Sequence, residues 1–426
     1  MFFEIKAPLL SPEKEDLIFI NLKKQAISIS INIQTAYTFD LKGRLFTAFI
    51  DGHTYRRSMD NRVMEIWSAK IGDLKHRNRL WLSAGKKKAL LDKIHTETAR
   101  LQNLLSNGNF QVLSHSPEPL SWIQISVEEA IQKILYYDYE RLEADAQKFR
   151  AIYQPVGILP PDMYLALVVQ VTESCSYNQC NFCYFYKGQP YRVKSLSEFQ
   201  THVQKIKEYF GEALALRKHI FMGEANALDL PTEQLQDYFE ILQKEFPIGN
   251  NGHSDLPAFD GIYSFMSAFH KKLKTVKEFA QLHELGLKRI YIGMETGSNE
   301  LLRFLNKPSS VERVIQVVNH AKEGNVHVGI IILLGAGGDK FYQPHVQQTV
   351  EAIKHMALDK YDFIYLSPMV SLPGTAYHEK VHAENIHPLS PEQIEQQKSE
   401  LIKGIESNFQ ENMPKIALYD INQFIY

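Results

Sequence analysis

The sequence predicts an α/β protein centred on a partial (β/α)6 TIM-like barrel, with an N-terminal α+β extension and a short C-terminal helical extension. Three observations predict it. Between residues 163 and 366, six short apolar runs alternate with amphipathic stretches of helical period, as parallel βα units do. Residues 27 to 67 instead alternate apolar and polar positions across turn signals, the mark of a small antiparallel meander. The 426 residues also exceed the length at which one hydrophobic core usually stops growing.

Leu41-Lys42-Gly43 and Asp51-Gly52 supply turns for the meander. Helices are expected over Lys87 to Leu105 and, from a capping box at Ser126 and Glu129, to about Phe149. The stretch Gln154 to Pro161 breaks both periods and sets a boundary. Residues 1–155 are therefore read as an N-terminal α+β domain, 156–380 as the barrel and 381–426 as a C-terminal helix and tail. The apolar runs of the barrel are Met163 to Val171, His219 to Met222, Gly261 to Met266, Leu287 to Gly293, Val326 to Leu334 and Asp362 to Leu366. Capping boxes at Ser195–Glu198 and Thr275–Glu278 open two of the helices, and Gly286 closes the second. Ser390, Pro391 and Gln393 open a last helix with Ile394, Leu401 and Ile405 inward, and the tail from Lys415 reads as a short strand.

Lys plus Arg number 47 against 49 Asp plus Glu, so no general positive field draws the chain onto nucleic acid or anionic lipid, and a small-molecule substrate is favoured. No basic region leads into an apolar stretch at the N-terminus, and no run of about 18 uncharged apolar residues occurs, so a cytoplasmic protein without a membrane span is expected. The three cysteines all fall within nine consecutive positions. That distribution excludes a disulfide framework and points to a metal site in a reducing compartment.

Cys175-x4-Cys180-x2-Cys183 places three thiols on one loop directly after the first apolar run, where such barrels carry their chemistry. A plant-type ferredoxin has this spacing but needs a distant fourth cysteine, and structural zinc needs a fourth ligand close by. The chain has no fourth cysteine. A metal with an open position is what catalysis on a bound molecule requires. His378-Glu379-Lys380-Val381-His382 also fits the pattern of a zinc protease helix, without any longer signature beyond it.

Thr172-x-x-Cys175-x4-Cys180-Asn181-Phe182-Cys183 resembles the cluster loop of the radical S-adenosylmethionine (SAM) superfamily, with one residue more than its usual spacing after the first cysteine. Gly223-Glu224 resembles the segment of that family that receives the SAM amino group, with Met222 in place of a first glycine. Gly286 to Ser298, followed by Leu305-Asn306-Lys307, resembles the fourth βα unit of the branch containing oxygen-independent coproporphyrinogen III oxidase, and Ile332 to Asp339 resembles the fifth. The resemblance covers roughly residues 160 to 380 and is nearest the Fe-S oxidoreductases related to that oxidase. Phe185 stands where the oxidase has a further cysteine, so that particular activity is not expected.

The resemblance implies an oxygen-sensitive [4Fe-4S] cluster on Cys175, Cys180 and Cys183, with SAM on the remaining iron. It implies SAM contacts from Phe182 at the adenine, Gly223 and Glu224 at the amine, Glu295 or Ser298 at the ribose or methionyl group, and Gly335 beside the adenine. It also implies reductive cleavage of SAM, hydrogen abstraction from a substrate, and an electron donor such as flavodoxin or ferredoxin. No cysteine is left for an auxiliary cluster, and no Asp-x-His-x-x-Gly cobalamin signature appears. Tyr291, Tyr365 and Tyr377 are candidate hydrogen relays, with packing as the plainer role. Arg56, Arg57 and Arg62 form a candidate grip for an anionic group, with a solvated face as the plainer role, on an N-terminal part read as a substrate cover. The competing class is a non-catalytic iron-sulfur or zinc-binding scaffold on the same barrel.

Overall fold

The computed structural model describes residues 1–71, 74–249, 258–270 and 272–426. Two compact units result: Met1–Pro155 with Lys205–Arg217 and Ile425–Tyr426, and Val156–Gln204 with Lys218–Phe424.

The first unit is built on a nine-stranded antiparallel sheet. Its strands are β1 (Phe2–Ser11), β2 (Lys14–Leu22), β3 (Ile27–Ile31), β4 (Thr35–Phe39), β5 (Leu45–Ile50), β6 (His53–Arg57), β7 (Val63–Ile71) and β8 (Leu74–Trp81); after helix α1 (Ala84–Ser106), β9 (Gln111–His115) returns to pair with β1. The sheet is larger than the expected meander. Phe3, Ile5, Ala7 and Leu9 of β1 and Ile18 and Ile20 of β2 are buried in strict alternation, a period-2 signal interrupted by the charged turn between them. One face of the sheet packs under α1 and helices α2 (Leu120–Tyr136) and α3 (Tyr139–Ile152), through Ile94, Leu101, Ile123, Val127 and Leu142.

The single helix expected from Ser126 to Phe149 is thus two. Pro119 precedes the first, so Ser126 lies inside it and caps nothing; the Asp138 side chain accepts from Arg141 N and starts the second. Gly43 (φ +93) marks a close approach, because a Cβ there would lie 2.3 Å from the Lys133 backbone carbonyl.

Arg44 is wholly buried in this unit. Its Nε donates to Asp40 Oδ2 at 2.7 Å and its Nη1 reaches Asp145 Oδ2 at 3.3 Å, while its guanidinium carbon stands 4.8 Å from the centre of the Tyr209 ring. Tyr209 OH donates to Asp145 Oδ2 at 2.8 Å, so residues 205–217 are tied to the N-terminal part. Arg44→Met is expected to destabilise by roughly 3–5 kcal/mol in urea unfolding, because two buried carboxylates lose their counter-charge. A loss below about 1 kcal/mol would contradict that accounting.

Two of the three candidate-grip arginines are engaged within the unit. Arg57 is buried and donates to Leu45 O and Ser58 O, and Arg62 pairs with Asp60 and lies over the Trp81 ring.

The second unit carries a seven-stranded sheet in sequential order, all parallel: β10 (Leu167–Gln170), β13 (Ile220–Gly223), β14 (Ile262–Phe265), β15 (Leu287–Glu295), β16 (His327–Leu334), β17 (Phe363–Pro368) and β18 (Lys415–Leu418). A short hairpin of β11 (Thr172–Glu173) and β12 (Arg192–Val193) follows β10. All six apolar runs are strands. The seventh strand is the short strand expected in the tail, which joins this sheet by pairing in parallel with β17.

The covering helices are α4 (Leu196–Phe210), α5 (Thr232–Glu245), α6 (Val276–Glu284), α7 (Asn299–Phe304), α8 (Val311–Glu323), α9 (Tyr342–Lys354), α10 (Ala376–Ala383) and α11 (Pro391–Glu406). The boxes at Ser195, Thr275 and Ser390 form as written in the sequence. β10 and β18 remain edges, so the barrel is open, and one cavity gathers residues of β14 to β17 and of the segments that follow β10, β13 and β18.

Candidate functional site

The cysteine loop is closed at its base before it reaches the cavity. Thr172 and Glu173 pair with Val193 and Arg192, and Glu173 forms ion pairs with both Arg192 and Lys194. Ser174 and Asn178 adopt left-handed backbone (φ +66 and +48); Ser174 Oγ donates to Gln189 O at 2.9 Å and Asn178 Nδ2 to Tyr186 O at 2.6 Å. These bonds fold the loop back, so that Cys175, Cys180 and Cys183 all line one cavity of about 210 Å³.

The thiols are unpaired and half-buried. Burial pushes Cys180 up to about 11 and raises Cys183, and the neighbouring cysteines add to both. Burial thus favours the protonated form of Cys180 and Cys183, and a bound cation would favour their thiolates.

The spacing of the sulfurs bears on whether they surround one ion. Among the described residues, the metal-ligating group whose donor atoms all lie within 4.8 Å of one another is His327, Asp359 and Asp362, not the cysteines. A tetrahedral zinc at the usual Zn–S distance needs sulfurs about 3.8 Å apart. Among the described residues the cysteine sulfurs do not meet the 4.8 Å limit, so as they stand they are not gathered around one ion. The acidic group is already neutralised: Lys322 Nζ reaches Asp359 at 2.9 Å and Asp362 at 2.6 Å, and Val328 N donates to Asp362.

Of the expected SAM-contacting residues, Phe182 and Glu295 stand on the cysteine cavity. Glu295, at φ +65 on the end of β15, pairs with Lys307 Nζ at 2.5 Å; both are largely buried. Burial alone would lower Lys307, but Glu295 and the cysteines outweigh it and hold the ammonium charged. Lys307 was quoted in the sequence motif without a role; only the folded chain brings it beside Cys180. Asn226, also unassigned from sequence, donates from Nδ2 to Cys175 Sγ at 3.5 Å. The remaining walls are mainly rings. Tyr291 and Tyr419 turn their hydroxyls to Asp162 and Leu159 O, so their rings face the cavity without a free donor. Tyr365 and Arg289 converge on Asp162 too, and Tyr377 OH accepts from Gly337 N, so the hydroxyls of Tyr291, Tyr365 and Tyr377 are all engaged in bonds that hold the barrel.

Gly223, Glu224, Ser298 and Gly335 do not line that cavity. Ser298 caps α7, and Gly335 N donates to Gln397 Oε1 at 2.8 Å. The neighbouring Gly297 is required by packing, since a Cβ would fall 2.2 Å from Gln348 O of α9.

Gly223 and Glu224 border a smaller adjoining cavity. The buried Glu224 carboxylate accepts from Gln170 Nε2 and from Tyr186, and burial raises it from 4.5 to about 7. Because the folded state binds this proton more tightly than the unfolded chain, stability from this group is greatest below pH 4.5 and declines as pH rises to 7. The full swing is roughly 3 kcal/mol. Glu224→Gln is expected to flatten the fall in urea-unfolding stability of the metal-free protein between pH 5 and pH 8. An equal fall in both proteins would show that Glu224 is not the group responsible.

His378 and His382 face each other on the exposed side of α10, Nε2 to Nε2 at 3.1 Å, and they are not members of the compact ligand group above.

These features define an α/β partial-barrel protein with a three-thiol candidate metal site beyond the C-terminal ends of its parallel strands. Residues 169–366 match the Radical SAM superfamily, so this part of the chain is a radical SAM domain, a domain whose cofactors are a [4Fe-4S] cluster and SAM. No curated protein matches the chain by sequence. Similar solved structures include coproporphyrinogen III oxidase (HemN) from Escherichia coli, a radical SAM enzyme, at 15% identity and TM-score 0.42, covering 64% of this chain and 57% of that one. SuiB from Streptococcus suis, solved with S-adenosylmethionine, is 12% identical with TM-score 0.39, covering 87% and 72%. Elp3 from Methanocaldococcus infernus is 14% identical with TM-score 0.36, covering 59% and 56%. The chain thus spans 57% of the length of the oxidase, and the domain assignment rests on the family match.

Proposed function

We propose that this protein is a radical SAM oxidoreductase acting on a small substrate, with Cys175, Cys180 and Cys183 as the protein ligands of its cluster. The observation that carries the reading is the set of three thiols, without a fourth, facing one cavity beyond the C-terminal ends of the parallel strands. When bound, a [4Fe-4S] cluster with SAM supplies reductive cleavage of the sulfonium and abstraction of a hydrogen atom from the substrate.

The chain's own residues bind, orient and shield. Glu295 and Lys307 place the cavity's opposite charges beside the cysteines, where an amino-acid moiety and ribose hydroxyls are to be held. Phe182 and the rings of Tyr291 and Tyr419 exclude water from the same space. Glu224 is assigned to the SAM ammonium, which it meets by exchanging Tyr186 for the ligand once ionised. A small electron-donor protein completes the system.

Anaerobic reconstitution with iron and sulfide tests the assignment. Expected are close to four irons and four sulfides per chain by this cluster type, with a Mössbauer spectrum in which SAM alters one iron site. Stoichiometric zinc without sulfide in the natively purified protein would overturn it. Glu224→Gln should keep the iron and lose SAM affinity above pH 7; unchanged SAM binding would remove Glu224 from the site.

A further inference from the structure

We infer that Asn306 and Asn181 form a clamp that fixes Cys180 in its ligating position by gripping the chain on both sides of it. The inference rests on the cluster assignment above. Asn306 Nδ2 donates to Gln179 O at 2.7 Å, one residue before Cys180. One residue after it, Asn181 donates twice, from its backbone N to Leu305 O at 3.2 Å and from Nδ2 to Phe304 O at 2.7 Å. Asn181 O in turn accepts from Tyr377 N at 3.2 Å, which ties the same point to α10. Three bonds therefore join residues 179 and 181 to the three consecutive residues Phe304, Leu305 and Asn306.

The receiving segment is a firm anchor because it is the cap of a buried helix. Leu301, Leu302, Phe304 and Leu305 are buried, and the turn after α7 is closed by Asn306 N on Arg303 O and Lys307 N on Leu302 O. Asn306 has φ +51, a left-handed conformation that asparagine tolerates and most side chains do not. The cap thus aims the Asn306 amide at the loop and sends the next residue, Lys307, into the cavity beside the cysteines.

The wider arm of the loop needs such a device. Four residues separate Cys175 from Cys180 but only two separate Cys180 from Cys183, so the first arm has more conformational freedom to lose on binding a cluster. Cys175 is steadied separately, by Asn226. A clamp formed before the metal arrives removes part of the ordering cost at Cys180.

Asn306→Asp and Asn306→Gly test this in the full chain. Both residues accept the left-handed backbone; the first cannot donate and the second has no side chain. In the cluster-free protein, hydrogen–deuterium exchange of peptides spanning residues 176–186 should quicken by about threefold or more, the effect of one lost hydrogen bond, with exchange in the sheet of the N-terminal unit unchanged. After anaerobic reconstitution, loss of the cluster to EDTA should quicken by a similar factor. Exchange and cluster lifetime equal to the parent's in both variants would overturn the clamp, as would faster exchange with an unchanged lifetime. Failure of the parent to take up iron would sink the cluster assignment instead, and the exchange comparison would still decide whether Asn306 holds the loop.

Discussion

Replacing any one of Cys175, Cys180 or Cys183 by Ala is expected to reduce iron and sulfide in the anaerobically reconstituted protein from a full complement to near zero. Each thiolate is one of only three protein anchors, and no other cysteine exists to take its place. The barrel itself should survive, because the cysteines are half-buried at a cavity wall and the loop is closed by Glu173, Arg192 and Lys194. Iron analysis and circular dichroism on the same sample separate the two effects. A variant that keeps the parent's iron and sulfide would remove that cysteine from the ligand set.

Glu295→Ala is expected to have the next largest effect. It leaves Lys307 charged at the cavity wall without its 2.5 Å partner. Breaking a buried pair on one side costs roughly 3–5 kcal/mol, and somewhat less here because Lys307 keeps a little solvent contact. Urea unfolding measures that cost, and titration with SAM under anaerobic conditions measures the second consequence, a loss of affinity. The double variant Glu295→Ala, Lys307→Met should recover most of the stability, since no unpaired charge remains, but not the SAM binding. Recovery of both would show that the pair serves packing alone.

The parts of this fold that were legible in the sequence are those governed by local signals. Six apolar runs bounded by capping boxes became six parallel strands, because burial on both faces leaves little room for polar residues in such strands. Cys175, Cys180 and Cys183 were legible because nothing else in the chain competes for their chemistry. What failed depended on partners distant in sequence. The split after Tyr136 turns on one side-chain bond from Asp138, which the continuing helical period hides. The strand β18 was read from the tail, but its place beside β17 as a seventh barrel strand was not. Glu224 was read from its motif as the contact for the SAM amine, but its bonds to Gln170 and Tyr186 beside the adjoining cavity carry no signal in the sequence. Lys307 was visible in a motif but carried no signal of its function until the turn after α7 delivered it to Glu295.

The central claim is that the three-thiol cavity binds a cluster and SAM together and uses them. The most direct measurement is chromatography of a reaction containing the anaerobically reconstituted full chain, SAM and dithionite. The account predicts 5′-deoxyadenosine and methionine in equal amounts from the parent, and neither from Cys180→Ala. An intact [4Fe-4S] cluster that binds SAM but yields no 5′-deoxyadenosine under reduction would contradict it and leave a metal-binding scaffold in its place.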